Sequence, residues 1–380
     1  MKKILIIGPI EDNHLKRFIK HLRQHDKSRE LLIDSFNIIP YNEVINTDYN
    51  NQYHIKRYFK DLLYRIKFIR YFVHKLDMYL SFINITTKYD LINIHFVTPL
   101  HYQLFPFLKY KCKKILITPW GSDVYRISGK KRFILTKLMY KLCDMVSVPP
   151  IKFRDDIKEI FSIKEKKIID LGFGSEIIDL LINNKTTKNI AKEKLDLKDS
   201  YIITCCYNKN PAQNHIAIIR ELTKIKRHLP NNCTLLFPMT YGPCNEKYMM
   251  EIVDLLNKSN FKYIIYDSYL SNEEIMNIRI STDIFIHLQN TDAYSATVQE
   301  FLYTNTWVIN GRWTRYPTLE TDSIPYIIAD SISNLSDLIL NNIDFTHDSD
   351  LISDKTKAII EKTSWAHKSY NWYNFYKQIH

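Results

Sequence analysis

The chain contains 380 residues, of which 45% are hydrophobic and 25% are charged, as in ordinary globular proteins. This composition excludes a disordered chain, and the length predicts roughly two domains. Only seven glycines are present, which argues against a glycine-rich nucleotide-binding loop. No apolar run approaches the roughly 18 to 20 residues of a membrane-spanning helix.

The net charge of +12 predicts an anionic partner, which could be nucleic acid, a membrane surface or a phosphorylated substrate. The six cysteines contain no C-x-x-C pair, and Cys205 and Cys206 lie in an apolar run. We therefore expect reduced thiols in a cytoplasmic protein. The opening residues 1–7 are too short for a signal peptide and predict a first buried strand.

The first half of the chain alternates predicted strands and helices, which is the pattern of a doubly wound α/β domain. A strand over residues 2–9 leads through a polar turn containing Asn13 into a helix, and no G-x-G-x-x-G motif follows the strand. Asn13 is therefore expected at the ligand-binding edge of a sheet that does not carry a dinucleotide fingerprint.

The segment 54–83 is basic and aromatic, with helical spacing and no helix breaker. Such a helix can lie on an anionic membrane with its aromatic rings at the headgroups and its cations on lipid phosphates. A core helix with a solvated basic face explains the pattern equally well, because the aromatic residues occur on all sides. Single-stranded nucleic acid is a third interpretation, ranked last because no recognised nucleic-acid module accompanies the segment.

The richest polar set of the first half follows a predicted strand that ends near residue 118. It comprises Trp120, Gly121, Ser122 and Asp123, while His95 ends the preceding predicted strand. Polar side chains at the carboxyl ends of parallel strands face the crevice where α/β proteins bind ligands. Asp123 and His95 are therefore candidate acid–base residues, although a histidine in such a strand is more often a core residue.

The polar, lysine-rich segment 181–200 predicts a linker between a first domain, 1–180, and a second domain, 201–345. The second domain restarts the strand–helix alternation. The aromatic segment 346–380 is expected to form helices that return across the first domain or present aromatic side chains at a surface. The predicted architecture is two doubly wound domains that face a central cleft.

The most informative unit of the second domain spans residues 281–316. An apolar strand leads through a polar turn to a short helix that opens near Ser295, Ala296 and Thr297, and a second strand follows. Unpaired N–H groups and the helix dipole at this helix start favour an anion, so a phosphorylated ligand is expected there.

Asp292 and Glu300 stand eight residues apart in this unit and bracket the turn and the first helical turns with carboxylates. They are candidate ligand-binding residues. The structural alternative is a capping or loop aspartate and a solvated helix glutamate.

Two doubly wound domains without a glycine-rich loop are similar to the GT-B fold of nucleotide-sugar glycosyltransferases. The run from Tyr201, which contains Asn208, Lys209 and Asn214, resembles the loop and helix that begin the donor domain of this fold. Asp292-x7-Glu300 resembles the E-x7-E motif of family 4 glycosyltransferases.

A second resemblance points to the 4-acetamidofucose transferases of enterobacterial common antigen assembly, which act on an undecaprenyl-diphosphate acceptor. It rests on FPMTYGPCNEKYMMEI, which contains Tyr241, and on the segment that begins at Trp120. The chain thus resembles two groups, one retaining and one inverting, and both outcomes stay open.

The resemblance implies transfer of a sugar from a nucleoside-diphosphate sugar to a lipid-linked oligosaccharide in bacterial surface polysaccharide assembly, such as capsule or O-antigen. It implies no cofactor, and we expect no metal ion. The enzyme would lie at the inner face of the cytoplasmic membrane, dock through residues 54–83 and bind no nucleic acid. The implied donor-binding residues are Asn208, Lys209, Asn214, Tyr241, Asp292, Ser295, Ala296, Thr297 and Glu300.

The proposed acceptor side comprises Asn13, Trp120, Gly121 and Ser122, with Asp123 or His95 as the base. Three other functions remain open on the sequence: a non-catalytic sugar or nucleotide binder, a nucleotide-sugar epimerase on the same fold, and nucleic-acid binding through the basic segment.

Overall fold

A computed structural model of the chain describes residues 1–39, 41, 43, 45–149, 152–320, 323–344 and 351–379. Its β-strands are β1 (Lys2–Gly8), β2 (Leu31–Asn37), β3 (Gln52–His54), β4 (Tyr89–His95), β5 (Cys112–Thr118), β6 (Met145–Ser147), β7 (Ile168–Ile169), β8 (Tyr201–Cys205), β9 (Cys233–Pro238), β10 (Lys262–Tyr266), β11 (Ile284–His287), β12 (Trp307–Gly311) and β13 (Ile327–Ala329).

The α-helices are α1 (Asn13–His25), α2 (Asp61–Arg65), α3 (Lys67–Ile83), α4 (Pro99–Lys111), α5 (Ser122–Tyr125), α6 (Lys130–Leu142), α7 (Lys152–Phe161), α8 (Glu176–Ile182), α9 (Lys188–Lys194), α10 (His215–Ile225), α11 (Glu246–Ser259), α12 (Asn272–Ser281), α13 (Ala296–Tyr303), α14 (Leu335–Asn342), α15 (Asp354–Glu361) and α16 (Trp365–Gln378).

The chain forms two compact units, one of Met1–Phe173 with Ala366–His380 and one of Gly174–Trp365. The first unit contains a seven-stranded sheet in the order β3-β2-β1-β4-β5-β6-β7, and the second a six-stranded sheet in the order β10-β9-β8-β11-β12-β13. Every strand pairing in both sheets is parallel. Two parallel sheets with flanking helices confirm the predicted α/β class.

The apolar runs of the sequence become strands because parallel sheets are covered on both faces. In β1 the residues Ile4 to Ile7 are all fully buried. In β8 successive side chains point to opposite faces, so Ile202 packs into one core of the second unit and Ile203 into the other. Strands of this kind read as continuous hydrophobic segments rather than as alternating ones.

Each sheet has one point where the strand order reverses, between β1 and β4 in the first and between β8 and β11 in the second. At such a point the loops beyond the two carboxyl ends diverge to opposite faces and leave a crevice that binds ligands in open α/β sheets. The crevice of the first unit is bordered by the loops after β1 and β4. That of the second is bordered by the loops after β8 and β11.

Two predictions differ from the structure. The segment 181–200, predicted as a linker, contains α9, and its Ala191 and Leu197 are buried in a core of the second unit. The chain divides instead after Phe173.

The segment 54–83, predicted as one helix, is broken at Ile66, whose extended backbone (ψ 113°) separates α2 from α3. No helix among the described residues is long and apolar enough to cross a membrane.

The helix α16 supplies a large part of the core of the first unit. Trp372 is fully buried, packs edge-on against Phe18 with ring centroids 5.1 Å apart, and donates from Nε1 to the carbonyl of Gly172 at 2.9 Å. Burying an indole while satisfying its N–H makes this side chain a strong source of stability. The packing places the C-terminal aromatic residues in the core of the first unit.

We expect Trp372→Ala to lower the free energy of unfolding by about 3–5 kcal/mol, because it leaves a large cavity and an unpaired carbonyl. Tyr370 lies on the same helix but is 53% exposed, so Tyr370→Ala should cost about 1 kcal/mol or less. Urea unfolding followed by circular dichroism measures both. Equal losses for the two variants would contradict the packing described for α16.

Candidate functional site

The loop after β8 is shaped by hydrogen bonds from polar side chains and not by glycine. Oδ1 of Asn208 accepts from the backbone N–H of Asn210 at 2.9 Å, and the N–H of Lys209 donates to the carbonyl of Tyr241 at 2.9 Å. Asn214 ends the loop in the left-handed conformation, with φ at 65°, which Asn tolerates better than most residues. The loop therefore presents the start of α10 in a defined orientation.

Asn214 also joins this loop to the one that follows β11. Its Nδ2 donates to the carbonyl of Leu288 at 2.7 Å and to Oδ1 of Asn290 at 2.9 Å. Asn214 is thus one of the links between the two loops that border the crevice of the second unit, and the N–H of Asn290 adds another by donating to the carbonyl of Ala212 at 3.0 Å. The first N–H groups of α10 have no acceptors within their own helix, and the helix dipole favours an anion in front of them.

His215, the first residue of α10, stabilises this loop through hydrogen bonds made by both of its ring nitrogens. Its Nε2 lies 2.9 Å from the carbonyl of Asn208 and its Nδ1 lies 3.1 Å from the hydroxyl of Tyr248. Burial lowers the pKa of His215 to about 4, so the ring is neutral near pH 7. The neutral form with a proton on Nε2 satisfies both contacts, because Nε2 donates to the carbonyl and Nδ1 accepts from the hydroxyl.

The second helix start at this edge is that of α13, which begins at Ala296 as the sequence predicts. Ser295 is buried, and its Oγ accepts from the backbone N–H of Val298 at 3.3 Å. Ala296 is exposed and Thr297 half-buried. The amino end of α13 is thus capped on one side and open to solvent on the other.

Asp292 lies in the loop between β11 and α13, beside Tyr316 and His287. It accepts a hydrogen bond from the hydroxyl of Tyr316, and its Oδ2 lies 3.5 Å from Nε2 of His287. Nδ1 of His287 donates to Oδ1 of Asn310 at 2.7 Å, since an amide oxygen only accepts. Burial lowers the pKa of His287, against the opposing effect of Asp292. The side chain of Asp292 keeps 12% of its surface exposed and is therefore within reach of a ligand.

Glu300 has a different environment from the one the sequence suggested. It is 5% exposed, and its two oxygens accept from Oγ of Ser175 at 2.7 Å and from Nε of Arg279 at 3.0 Å. Arg279 is itself buried and lies over the ring of Phe301, 4.4 Å from its centroid. The sequence analysis missed Arg279 and Ser175. Neither belongs to a motif, and both lie far from Glu300 along the chain.

Tyr241 connects the predicted residues of the second unit. The residue is 57% exposed. Desolvation nonetheless raises the pKa of its hydroxyl, and the carboxylates of Glu300 and Asp292 raise it further, whereas the Asn208 side chain and Arg279 lower it. Asn208, Asp292 and Glu300 therefore all lie close enough to Tyr241 to interact with it electrostatically.

In the first unit, Asp123 is part of the backbone framework. Its Oδ2 accepts from the N–H of Val97 and its Oδ1 from the N–H of Trp120, each at 2.8 Å. The residue is 5% exposed, and burial raises its pKa to about 6 even though these hydrogen bonds oppose the change. Asp123 thus ties the loop after β4 to the loop after β5.

His95, the other predicted base, is fully buried. Its ring lies among aromatic side chains, with centroids 5.0 Å from Phe18 and 5.9 Å from Phe173, and its Nε2 lies 3.0 Å from Nδ2 of Asn93. Burial lowers the pKa of His95 to about 3. This is the environment of a neutral core histidine, the alternative that the sequence left open.

The remaining residues predicted for the acceptor side lie at the same edge of the first sheet. Asn13 is exposed at the first position of α1, and Trp120 and Ser122 are half-buried. Gly121 precedes α5 with φ at 98°, which few other residues adopt.

His14 is a candidate that the sequence analysis missed. Its ring is exposed, with centroids 5.0 Å from Trp120 and 5.7 Å from Phe173. Contact with these rings lowers the pKa of His14 by desolvation, which Asp12 opposes. The ring is therefore neutral near pH 7 and still reachable, the two properties that a general base needs. Its position in the first turn after β1 was the available signal.

Among the described residues, no three His, Cys, Asp or Glu side chains come together as a group that could hold a metal ion.

No known protein family matches this sequence, and no curated protein matches it either. Several solved structures match the fold. Sucrose-phosphate synthase from Thermosynechococcus elongatus superposes with a TM-score of 0.72 at 12% identity, covering 100% of this chain and 99% of that one. A glycosyltransferase from Rickettsia africae gives a TM-score of 0.63 at 16% identity, covering 100% and 98%.

Anabaena HepE, solved in complex with UDP and glucose, gives a TM-score of 0.68 at 10% identity and covers 99% of this chain and 100% of its own. At these identities the likeness concerns the fold. The chain has the GT-B fold of nucleotide-sugar glycosyltransferases over its whole length.

The buried pair of Glu300 and Arg279 generates a stability prediction. Glu300→Ala leaves a buried guanidinium without its carboxylate, and we expect a loss of about 3–5 kcal/mol in the free energy of unfolding. The double variant Arg279→Met/Glu300→Met should regain most of this loss because it leaves no buried charge. Asp292→Asn is the control, with an expected change of about 1 kcal/mol or less. If Glu300→Ala costs no more than this control, the buried pair does not exist in solution.

The burial of His95 generates a pH prediction. Its folded pKa of about 3 lies below the ordinary value of 6.5, so below pH 6.5 the unfolded chain binds a proton that the folded chain does not. Stability therefore falls as the pH drops from 6.5 toward 3. His95→Phe should reduce the slope of the unfolding free energy between pH 6 and pH 5 by about 1.4 kcal/mol per pH unit. Denaturant unfolding at a series of pH values measures the slope, and an unchanged slope would show that His95 titrates normally.

Proposed function

We propose that this chain is a metal-independent glycosyltransferase that moves a sugar from a nucleoside-diphosphate sugar to a hydroxyl of an undecaprenyl-diphosphate-linked oligosaccharide. The proposed setting is bacterial surface polysaccharide assembly at the cytoplasmic face of the membrane, with residues 54–83 on the lipid side. The observation that carries the proposal is the crevice of the second unit, where two helix starts and a partly exposed carboxylate border one switch point on a GT-B fold. HepE, which shares this fold, has been solved with UDP-glucose.

The second unit would bind the nucleoside-diphosphate sugar and stabilise the leaving diphosphate. The leaving diphosphate carries negative charge, which the N–H groups at the starts of α10 and α13 and the half-buried Lys209 would stabilise. Asp292 would accept hydrogen bonds from hydroxyls of the donor sugar. This stabilisation is built into the fold before the ligand arrives, because Asn214 and Ser295 already hold both helix starts.

Glu300 would hold the hydroxyls of the nucleotide ribose. Each carboxylate oxygen has a second lone pair beyond those that Ser175 and Arg279 occupy. Arg279 would then be a positioning residue that fixes the direction of the Glu300 carboxylate.

The first unit would bind the acceptor and supply the base that removes the proton of the attacking hydroxyl. The new bond forms between the acceptor oxygen and the anomeric carbon, the bond from that carbon to the diphosphate breaks, and a base takes the proton. His14 is the best placed candidate because its ring is both exposed and neutral. Asp123 and His95 remain candidates for positioning, since both are buried and engaged.

Two narrower possibilities have their own support. An inverting transferase of the 4-acetamidofucose type is favoured by the loop that contains Asn208, Asn214 and His215, in which His215 contacts the carbonyl of Asn208 and Asn214 donates to the carbonyl of Leu288. A non-catalytic nucleotide-sugar binder is favoured by the burial of both bases that the sequence predicted. Turnover separates the binder from the enzymes, and the anomeric configuration of the product separates the two transferases.

We expect acceptor-dependent release of nucleoside diphosphate from one donor when the full chain is assayed with UDP-, GDP- and dTDP-sugars and a polyprenyl-diphosphate-linked acceptor. Asp292→Asn should lower kcat/KM by about a hundredfold or more if the carboxylate contacts the sugar in the transition state. Donor binding without release would identify the non-catalytic binder. Neither binding nor release across the panel, with folded protein, would reject the proposed function.

For the base, we expect His14→Gln to lower kcat by about 10²–10⁴-fold with little change in donor affinity. His95→Gln is the control for a histidine that stabilises the core, and it should affect stability more than kcat. Full activity of the His14 variant would show that His14 is not the base.

A further inference from the structure

The first unit carries an exposed apolar surface of unusual size. We name residues 60–72, which include α2 and the first turns of α3, the α2–α3 tip. Its exposed apolar side chains are Leu62 (67%), Ile66 (44%), Phe68 (86%), Ile69 (39%), Tyr71 (63%) and Phe72 (62%). Scattered exposed apolar residues are normal, but a contiguous group marks a surface that meets something else.

The arrangement of these side chains follows from helix geometry. Phe68, Tyr71 and Phe72 are spaced by three and four residues and therefore lie together on one side of α3. The bend at Ile66 adds the exposed Leu62 of α2 to the same short stretch. The aromatic rings thus project from the protein rather than pack against it.

Basic side chains accompany the apolar ones. Lys60, Arg65, Lys67 and Arg70 are all exposed, and residues 56–75 contain seven basic residues and one acid. That acid is Asp61, which pairs with Arg57 at 3.1 Å. The stretch therefore combines a large apolar area with strong positive charge, and its occupant must satisfy both.

The tip rests on a buried polar network rather than on a flexible loop. Asp77, on the inner side of α3, is fully buried and accepts from the hydroxyls of Tyr64 at 2.6 Å and Tyr41 at 2.8 Å. It also accepts from the backbone N–H of Tyr58 at 3.0 Å. The guanidinium of Arg57 lies 4.7 Å and 5.0 Å from the ring centroids of Tyr41 and Tyr64. The aromatic side chains are therefore presented by an anchored element and need not be ordered by their partner.

From these observations we infer that the α2–α3 tip inserts into the interface of an anionic lipid bilayer. Phe68, Tyr71, Phe72 and Leu62 enter the boundary between headgroups and acyl chains, and Lys60, Arg65, Lys67 and Arg70 contact lipid phosphates. A bilayer interface offers an apolar layer beneath a negatively charged one, which matches the tip in both respects. This surface serves the proposed function by bringing the enzyme to a membrane-borne acceptor, but it is tested without it.

The matching experiment is flotation of the full chain with vesicles of phosphatidylcholine containing about 30% phosphatidylglycerol, compared with phosphatidylcholine alone. We expect binding to the anionic vesicles and clear weakening when the salt is raised, because each cation near the surface contributes an attraction that salt screens. Phe68→Ser/Tyr71→Ser/Phe72→Ser should weaken binding by at least about tenfold through the loss of apolar insertion. Lys60→Glu/Lys67→Glu/Arg70→Glu should weaken it by more than about a hundredfold.

Matched variants on the second unit control for general effects of charge and apolar surface. Arg227, Lys247 and Lys262 are exposed, and their replacement by Glu changes the net charge by the same amount as the tip variant. Met250 and Tyr269 are 72% and 81% exposed, and their replacement by Ser removes apolar surface elsewhere. Neither control should change vesicle binding, and thermal unfolding should show every variant folded.

Hydrogen exchange of the full chain locates the contact. Peptides within residues 60–72 should exchange more slowly in the presence of anionic vesicles, while those of the second unit should not change. Failure of the chain to bind anionic vesicles, or equal binding by the aromatic tip variant, would overturn the inference. So would tip-dependent binding to a single-stranded oligonucleotide or tip-dependent self-association in place of vesicle binding. Donor binding is measured separately in the absence of lipid, so failure of the proposed function is distinguishable from failure of this inference.

Discussion

The candidate donor site depends on the hydrogen bonds that join the loops after β8 and β11. Among them, the amide group of Asn214 donates both to the Leu288 carbonyl and to the Asn290 side chain, and the N–H of Asn290 donates to the Ala212 carbonyl. Parallel strands end at a common edge, and the loops beyond β8 and β11 meet where the strand order reverses. Without a cross-link those loops would be free to separate. Asn214 fixes their spacing and, with φ at 65°, sets the direction of α10. The chain has only seven glycines, and the loop after β8 contains none of them. Asparagine side chains stabilise the turns of this loop by hydrogen-bonding to the backbone.

Glu300 and His95 are both buried, but their surroundings differ. In the second unit, Arg279 and Ser175 both donate to Glu300, and these partners offset the loss of solvent around its carboxylate. In the first unit, His95 has no charged partner, and burial leaves it neutral. At the sheet edges, His14 in the first unit is exposed, and Asp292 in the second is partly exposed near the starts of α10 and α13.

The α2–α3 tip reverses the usual distribution of polar and apolar groups. A carboxylate, Asp77, is buried beneath it with three hydrogen-bond donors, while Phe68 above it is 86% exposed. Exposing a phenylalanine to water is energetically unfavourable, and α3, which carries Phe68, is held in place by the hydrogen bonds to Asp77. Half of the net charge of the protein is concentrated near the same segment. The sequence analysis left open whether residues 54–83 form a membrane-surface helix or a core helix. The segment has features of both, because its outer side is basic and apolar and its inner side is buried.

The sequence by itself determined the α/β class, the strands β11 and β12, and the start of α13, because apolar runs and cap residues act over a few neighbouring positions. It also placed Asn208, Asn214 and Asp292 in loops at a sheet edge, since parallel strands put their carboxyl ends together. Only the tertiary structure decided that Glu300 pairs with Arg279, that His95 is buried and His14 exposed, and that residues 181–200 pack into the second unit. It also decided that the basic segment breaks at Ile66 and projects its aromatic rings. Each of these outcomes depends on contacts between residues far apart in the chain or on which face of a helix finds a partner, and no local periodicity contains that information.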